Sequence, residues 1–415
     1  MAHAEKRGKT WRVKYKKPDG SYGSASKDDF GNRFTTKRLA LKYGEALETD
    51  VGRNTFIDPR DGQTTLAAWI ALWLKSIDVR PLTERDYRLR IKNYILPQWG
   101  NTKVRDLATI HIVIWEKDLR SRFSKNTADG ILSVFRTIMA DAVVSKLRAD
   151  NPVPSHTTGR RGKFKPKPKN EKVIATPRQA LLIARNAREM RGFNEYVLVL
   201  TKAYTGLRIG ELAGIHRDHL ALTDEGIGAR ILMSQQSQYV NGEFTEIEPK
   251  YDSGRGLIIP PFLAALLQEL VDSRKSKWVF TAPKGGRLLR GGDWYKTTWG
   301  PIVEGRAPRP VVRGAKARAG IRPVLGVEGL VPHGLRHSHK TWLDESGAAR
   351  VAVEARMGHT LPGVEGTYSH VTLDMELKIA SILQELWEKS QLPEADDTEY
   401  GPLPEWISPG EDDLP

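Results

Sequence analysis

The amino-acid sequence predicts a multi-domain α+β protein: a small N-terminal β-sheet-plus-helix unit, an all-α helical domain, and a mixed, mostly α domain with a small β-sheet. Three observations predict this class. The 415 residues exceed the roughly 250–300 that one hydrophobic core organises. Apolar residues follow strand spacing near the N-terminus and helical spacing over most of the remainder. A stretch rich in Lys, Pro and Gly, residues 154–172, then divides the chain.

The N-terminal unit, residues 1–60, begins with a strand pattern. Three apolar residues alternate with three cations, Trp11, Val13 and Tyr15 with Arg12, Lys14 and Lys16. Weaker strands are expected near residues 21–27 and 33–35, followed by a helix with Leu39 and Leu47 on one side. The cationic face fits either solvated charges or contact with a DNA groove, so its three cations are candidate DNA-binding residues.

Residues 64–153 are predicted to form the all-α domain. Helical spacing recurs in four runs, at 66–74, 87–95, 110–119 and 127–147. Pro97 and Gly100 are expected to end the second helix. We interpret the apolar stripes as a hydrophobic core rather than a cofactor site.

Residues 173–390 are predicted to form the mixed domain. Helices are expected at 177–190, 195–205, 209–215, 262–272, 335–346, 351–357 and 373–389, and strands at 228–233 and 256–260. The Gly-, Pro- and Arg-rich stretch 285–332 has no clear pattern. Its cations suit either a DNA contact or a surface loop.

Charge is distributed unevenly along the chain. The formal net charge is +15, but residues 391–415 contain eight acidic residues and no base, so residues 1–390 carry +23. This surplus favours a polyanionic partner, most simply nucleic acid. Residues 154–172 are expected to form an extended basic linker that follows a phosphate backbone, or else a plain tether; its candidate DNA-binding residues are Arg160, Arg161, Lys163 and Lys165. Residues 391–415 are expected to form a disordered acidic tail.

The composition excludes several classes of protein. No stretch approaches the roughly 18 apolar residues of a membrane span, and no apolar segment follows the N-terminal charges. The absence of Cys rules out disulfide frameworks, thiolate metal sites and cysteine nucleophiles. We therefore expect a cytoplasmic protein, associated with the nucleoid and without a membrane partner.

Five elements of the mixed domain occur in a fixed order. They are Thr205-Gly206-Leu207-Arg208-Ile209-Gly210-Glu211-Leu212, Pro249-Lys250 before a strand, His333-Gly334-Leu335-Arg336-His337, Met357-Gly358-His359, and Tyr368. This series resembles the tyrosine recombinases of the phage integrase family. The resemblance covers nearly the whole chain, because the helical domain with Asn93-Tyr94-Ile95-Leu96-Pro97 is similar to the family's core-binding domain. The N-terminal unit is similar to the arm-binding domain of phage-type integrases.

The resemblance implies a chemistry that these residue types suit. Breaking a phosphodiester needs a nucleophile, proton donors and acceptors, and cations that neutralise the non-bridging oxygens. The implied residues are the nucleophile Tyr368, which forms a 3′-phosphotyrosine bond, the phosphate-binding Arg208 and Arg336, the proton acceptor His333, the phosphate-contacting His359, the general acid Lys250 and the supporting Glu211. No cofactor and no metal is implied. His337 and His339 fall outside the matched positions, and we expect them to face the core or DNA.

The resemblance also implies partners. These are double-stranded DNA attachment sites, a homo-tetramer in the synaptic complex, a directionality factor and a host DNA-bending protein. The implied function is integration, and with a helper excision, of a phage or mobile element. Three alternatives stay open: a resolvase of chromosome or plasmid dimers, a type IB topoisomerase, and a catalytically idle DNA-binding regulator.

Overall fold

The computed structural model describes residues 1–28, 31–53, 56, 58, 63–154, 172–223, 228–240, 242–249, 254–282, 285–288, 294–312, 316–359, 371–392 and 400–405. The chain divides into two compact units, Met1–Lys165 and Pro166–Pro415. Within the described ranges, no helix combines the length and apolarity of a membrane span. The predicted mixture of a small N-terminal sheet, a helical region and a mainly α region with small sheets is confirmed.

The N-terminal sheet is antiparallel, in the order β1 (His3–Arg7), β2 (Thr10–Lys16), β3 (Tyr22–Ala25). Helix α1 (Lys37–Gly52) packs on β2, and the absence of a side chain at Gly44 permits this, since a Cβ there would lie 2.4 Å from Val13 Cγ2. As the alternation predicts, Val13 is buried.

Two details of this sheet differ from the sequence prediction. The strand expected at residues 33–35 is reduced to two isolated bridges, Arg33 with Lys27 and Phe34 with Trp11. Strand β1, with the sequence His-Ala-Glu-Lys-Arg, was not predicted because its charged residues show no apolar alternation. It matters for charge, because Glu5 of β1 pairs with Arg12 of β2.

The helices of the second half of this unit enclose an aromatic core. They are α2 (Leu66–Ser76), α3 (Pro81–Arg90), a π-helical turn (Ile91–Ile95), α4 (Leu96–Trp99), α5 (Thr109–Arg122) and α6 (Lys125–Val144). Of the two residues predicted to end the second helix, Gly100 does so and Pro97 does not, because the helical path passes Pro97 after the π-helical turn and continues to Trp99. Trp99, Trp115 and Phe135 contact one another with ring centroids 5.8–6.5 Å apart, which supports the interpretation of the apolar stripes as core.

The second unit is mainly helical. Its helices are α7 (Pro177–Arg191), α8 (Phe193–Thr205), α9 (Ile209–Ala213), α10 (Pro261–Asp272), α11 (Gly300–Glu304), α12 (Gly334–Glu345), α13 (Arg350–Met357) and α14 (Leu373–Gln391). Helices α7 and α8 form a hairpin joined by Gly192, and α8 contacts α7, α10 and α12. Because α8 is surrounded in this way, its C-terminal end is held rigidly inside the unit.

Two small antiparallel sheets complete the second unit. One has the order β4 (Leu220–Ala221), β5 (Arg230–Met233), β8 (Arg255–Ile258), and the other pairs β6 (Gln236–Val240) with β7 (Glu243–Ile247). The sheet strands at 230–233 and 255–258 match the predicted ones, whereas the β6–β7 hairpin was not predicted.

Part of the acidic tail is ordered against this unit, which corrects the expectation of a disordered tail for residues 400–405. Tyr400 forms a β-bridge with Val324 and donates its hydroxyl to Leu182 O at 3.2 Å. The guanidinium of Arg322 lies 5.0 Å from the centroid of its ring.

Candidate functional site

The turn between α8 and α9 places Arg208 at the start of a helix. Gly206 ends α8 in the left-handed region (φ +65°), and a Cβ there would lie 2.8 Å from His339 Cδ2, so both conformation and space require glycine. Lys202, fully buried, donates from Nζ to Leu207 O at 3.1 Å. This buried hydrogen bond holds the turn in place, and Arg208 follows the turn as the N-cap residue of α9.

A buried carboxylate holds Arg208 in position. Glu211 Oε2 accepts the backbone N–H of Arg208 at 2.6 Å, and Oε1 accepts Nη1 of the same residue at 3.0 Å. Arg255 at the start of β8 donates to both oxygens, each at 3.3 Å. Burial alone would raise the pKa of Glu211, but Arg255 and Arg208 outweigh it and the pKa is lowered. The carboxylate is therefore ionised and shared by two arginines.

Arg336 joins the same cluster from the first turn of α12. It is 2% exposed, and its guanidinium donates to Gly206 O at 2.7 Å, to Met357 O, and to His359 Nε2 at 3.0 Å. Burial and the nearby Arg208 lower the pKa of Arg336 to about 10, so that it remains charged at neutral pH. Arg208 and Arg336 are thus two positive charges held close enough to repel each other.

His359 is oriented by groups on both sides of its ring. A guanidinium can only donate, so Nε2 of His359 accepts from Arg336, and Nδ1 then carries the proton that is donated to Glu354 Oε2 at 2.7 Å. Glu354 also binds Lys340 at 2.7 Å. Although partial burial opposes it, Lys340 and His359 lower the pKa of Glu354. The imidazole is thus held between a guanidinium on one side and a carboxylate on the other.

His333 precedes α12 and is exposed. Desolvation of the ring, together with the nearby Lys202, His337 and Arg336, lowers the pKa of His333 to about 4. The imidazole is therefore neutral at physiological pH and able to accept a proton. Its ring centroid lies 5.0 Å from that of His337.

A second, buried layer supports these residues. Arg356 donates to His339 Nε2 at 3.1 Å, to Ile258 O at 2.8 Å and to Tyr204 O at 3.3 Å. His339 faces the core, where its Nδ1 lies 3.0 Å from Ala203 O. Arg356 O in turn accepts Nε of Arg255 at 2.8 Å. This layer ties α8, β8, α12 and α13 together beneath the exposed groups.

The structure brings together five of the sequence-predicted residues: Arg208, Glu211, Arg336 and His359 by contact, and His333 through its electrostatic interaction with Arg336. Lys250 and Tyr368 lie outside the described residues, as do the linker cations Arg160, Arg161, Lys163 and Lys165. Sequence reasoning missed the supporting residues Arg255, Arg356, Glu354 and Lys202. Arg255, Arg356 and Glu354 lie close in sequence to the quoted motifs, but no local sequence pattern indicates which residues they contact.

The cations predicted for the N-terminal sheet are partly neutralised. Glu5 Oε2 accepts Arg12 at 2.9 Å, and Glu5 Oε1 accepts Lys14 at 2.6 Å. These two bonds lower the pKa of Glu5 to about 2. Lys16 lies at the end of the same strand and donates its backbone N–H to Glu48. Glu5 carries a single negative charge, so Arg12 and Lys14 together keep a net charge of about +1, and Lys16 adds a further cation.

One cluster offers metal-binding atoms among the described residues. Ligand atoms of His216, Asp218 and His219 lie within 4.8 Å of one another. However, Nδ1 of His219 accepts the backbone N–H of His216 at 3.2 Å, and Nε2 of His216 contacts Gln235 at 2.9 Å. These bonds engage ring nitrogens that a metal would need, so we assign no metal to the cluster.

Taken together, the site presents guanidinium groups, an oriented imidazole and a neutral imidazole around one position. Two of the arginines at this position, Arg208 and Arg255, share one carboxylate, Glu211, whereas Arg336 donates to backbone carbonyls and to His359. Planar guanidinium groups bind the oxygens of a phosphate or carboxylate in pairs. The arrangement therefore suits an anion that undergoes proton transfer.

Comparison with known proteins gives matches along both units. The sequence profile described as "Phage integrase family" matches residues 176–374, and that of "Phage integrase, N-terminal SAM-like domain" matches residues 65–120. The putative prophage phiRv2 integrase of Mycobacterium tuberculosis is 25% identical over 402 residues, which cover 92% of this chain and 94% of that protein. Tyrosine recombinase XerD of Corynebacterium glutamicum is 25% identical over 327 residues, which cover 74% of this chain and 90% of that protein.

A solved structure shares the fold. The Tn1549 transposon integrase in complex with transposon right end DNA matches with a TM-score of 0.56 at 18% identity, over 76% of this chain and 98% of that one.

Proposed function

Because the chain belongs to the phage integrase family of tyrosine recombinases, enzymes that cleave and rejoin DNA, we propose that it is a site-specific integrase acting through a 3′-phosphotyrosine intermediate. It inserts a phage or other mobile element into a bacterial genome and, with a helper protein, excises it. The observation that carries the proposal is the convergence of Arg208, Arg336 and His359 at one cationic position, since a scissile phosphate is the anion that such a recombinase must hold.

Arg208 and Arg336 bind the non-bridging oxygens of the scissile phosphate. Glu211 and Arg255 preset the first guanidinium, and backbone carbonyls preset the second. Groups held in place before the reaction need no reorganisation as charge develops on phosphorus, and each such donor commonly contributes several kcal/mol to transition-state stabilisation. Arginines supply this charge in place of a metal ion.

His359 requires one change to contact the phosphate. In its present tautomer Nε2 accepts from Arg336 and has no proton to donate. In the doubly protonated ring both nitrogens donate, so Nε2 can then contact a phosphate oxygen while Nδ1 keeps its hydrogen bond to Glu354.

The remaining roles are those that the family resemblance implies. Tyr368 attacks phosphorus and displaces the 5′-oxygen, and the phosphotyrosine bond conserves the energy that religation uses, so no ATP is required. His333, neutral because of its lowered pKa, accepts the phenolic proton. Lys250 donates a proton to the departing oxygen.

Assembly follows from strand exchange between two duplexes. Four protomers meet around two attachment sites, with helix α14 contacting a neighbouring subunit. The N-terminal sheet binds arm DNA through Arg12, Lys14 and Lys16, and the basic linker follows the backbone. A directionality factor and a host DNA-bending protein assist, in the bacterial cytoplasm at the nucleoid.

A second candidate function is the resolution of chromosome or plasmid dimers, because XerD is among the relatives. The prophage integrase match favours integration, since it covers 92% of this chain whereas the XerD match covers 74%. Mapping the DNA that flanks the gene separates the two, because an adjoining attachment repeat is expected only for an integrase.

The mechanism is tested with a nicked duplex that carries the core of that attachment site. Wild-type protein is expected to form a covalent protein–DNA adduct on a denaturing gel, in EDTA and without ATP, and Tyr368→Phe is expected to form none. Tyr22→Phe is the matched control, because Tyr22 is 65% exposed; Tyr400 is unsuitable because its hydroxyl bonds Leu182. An adduct in Tyr368→Phe, or no adduct in the wild type, would contradict the mechanism, and the second result would support a catalytically idle DNA-binding regulator.

A further inference from the structure

The stretch that the sequence left unassigned contains a two-stranded hairpin, residues 306–321, which we call the arginine hairpin. Its strands are paired at two places, with reciprocal backbone bonds between Arg306 and Ile321 (2.7 and 2.8 Å) and between Arg309 and Arg318 (2.9 and 3.0 Å). This register sets arginines side by side on neighbouring strands. Residues 313–315 lie outside the described residues.

The arginine hairpin concentrates positive charge, of which the nearby Glu189 of α7 offsets only a part. Burial and the surrounding cations Arg318, Arg191 and Arg309 lower the pKa of Arg306. Arg306 and Arg309 donate only to backbone carbonyls within the hairpin, Ala319 O and Lys316 O. In the described part of the chain, neither of them forms an ion pair with a carboxylate. Like charges held this close repel one another until an external anion neutralises them.

The shape and composition of the arginine hairpin favour DNA as that anion. Lys316 and Arg318 are exposed, and Val311 beside them is 78% exposed. A two-stranded ribbon fits the major groove of duplex DNA, and exposed apolar residues flanked by arginines occur in elements that enter the minor groove. An acidic peptide would satisfy the charge but would leave the exposed valine unexplained.

The arginine hairpin is remote from the candidate active site. Its Arg306 lies near Arg191, at the end of α7 where α8 begins. Helix α8 has 13 residues and is therefore about 20 Å long, and the turn that holds Arg208 lies at its other end. At 3.4 Å per phosphate along a strand, this separation corresponds to about six base pairs.

We propose that the arginine hairpin is a second DNA-binding element of this chain, which grips duplex DNA about six base pairs or more from the scissile phosphate. The proposal rests on the proposed function only in taking DNA as the partner. The other candidate occupant is the chain's own acidic C-terminus, because Leu403 lies close to Gly320 and the acidic residues 411–413 follow it in sequence.

The test measures how salt weakens binding of the full-length protein to a labelled duplex of random sequence, about 40 base pairs long, between 50 and 200 mM NaCl. The variant is Lys316→Gln/Arg318→Gln, whose side chains are exposed, and the matched control is Lys275→Gln/Lys389→Gln, which removes two exposed charges elsewhere in the same unit. Two lost phosphate contacts are expected to reduce the slope of log K against log salt by about 1.8, so that the wild type loses about 12-fold more affinity than the variant over this range.

Several outcomes decide the question. The proposal would be overturned if the glutamine variant had the same salt slope as the wild type, or if the control variant lost as much slope as the glutamine variant. Lys316→Arg/Arg318→Lys is expected to keep the wild-type slope, and a loss there would mean that structure rather than charge was disturbed. If the glutamine variant differs from wild type only after removal of residues 406–415, the acidic tail occupies the hairpin in the intact protein and the proposal is wrong.

The proposed function is measured separately, by adduct formation on the nicked core duplex. The glutamine variant is expected to form the adduct at saturating protein. Absence of the adduct in the wild type, with the slope change retained, would contradict the mechanism and leave the DNA contact standing.

Discussion

Replacement of Glu211 by Gln is the most informative perturbation of the site. The carboxylate accepts four N–H groups, two from Arg208 and two from Arg255, at 2.6–3.3 Å, and its side chain is 1% exposed. An amide of the same shape keeps one oxygen acceptor but presents an NH₂ group to a guanidinium. Two arginines then lose their counter-ion beside the buried Arg336.

The expected loss of stability in Glu211→Gln follows from the burial of the Glu211 carboxylate. Removing one partner of a buried ion pair costs about 3–5 kcal/mol, because the other charge stays desolvated. For a unit of this size, about 3 kcal/mol lowers the Tm by roughly 6–12 °C. Glu345→Gln, an exposed acid near the end of α12, is the matched control and is expected to leave the Tm unchanged.

The assay is thermal and urea unfolding with and without sulfate. An anion that binds the uncovered arginines is expected to raise the Tm of Glu211→Gln more than that of the wild type, since ligand binding to the folded state stabilises it. The pH dependence has a definite sign: the lowered pKa of Glu211 adds stability above its unfolded pKa, which is lost as the pH falls through the folded pKa, and the variant lacks this component. A loss below about 1 kcal/mol, or equal rescue by sulfate in both proteins, would refute the view that Glu211 restrains two cations at an anion site.

Three further predictions concern other parts of the chain. Because the pKa of His333 is lowered to about 4, the unfolded state binds more protons than the folded state between about pH 4 and 6.5. The free energy of unfolding, measured with urea, is therefore expected to decrease as the pH falls from about 6.5 to about 4, and to decrease less in His333→Gln; identical profiles would contradict the lowered pKa. Gly206→Ala is expected to lower the free energy of unfolding by about 1–3 kcal/mol, since φ is +65° and the added Cβ would lie 2.8 Å from His339. Gly285→Ala is the control, because its φ is +83° but no atom lies within 4 Å of the added Cβ, so it reports the conformational cost without the steric one. An equal loss in both variants would exclude a steric contribution at Gly206. Glu5→Gln releases Arg12 and Lys14, so DNA binding is expected to tighten at low salt and its salt slope to steepen by up to about 1.8, and an unchanged slope would show that these cations do not contact phosphates.

The helices of the second unit could be predicted from the sequence because their apolar positions repeat locally. The predicted bounds 262–272 and 351–357 differ from the observed α10 and α13 by one residue at the start. The β6–β7 hairpin escaped prediction because β6 begins with three polar residues, Gln236, Ser237 and Gln238, which interrupt any apolar alternation. Pro97 misled the prediction, since a π-helical turn precedes it and allows the helical path to continue.

The sequence by itself determined the residue types of the site, their order and the fold class, because motifs and periodicities are properties of neighbouring residues. The tertiary structure alone decided which charges are balanced. Arg336 meets Gly206 O across 130 positions of the chain, and Arg255 meets Glu211 across 44. In the sequence, Lys202 and Arg356 look like solvated cations, yet both are buried and hold backbone carbonyls. The free energy of a charge depends on its desolvation and on its nearest counter-charge, and both are set by contacts between distant segments that leave no local pattern.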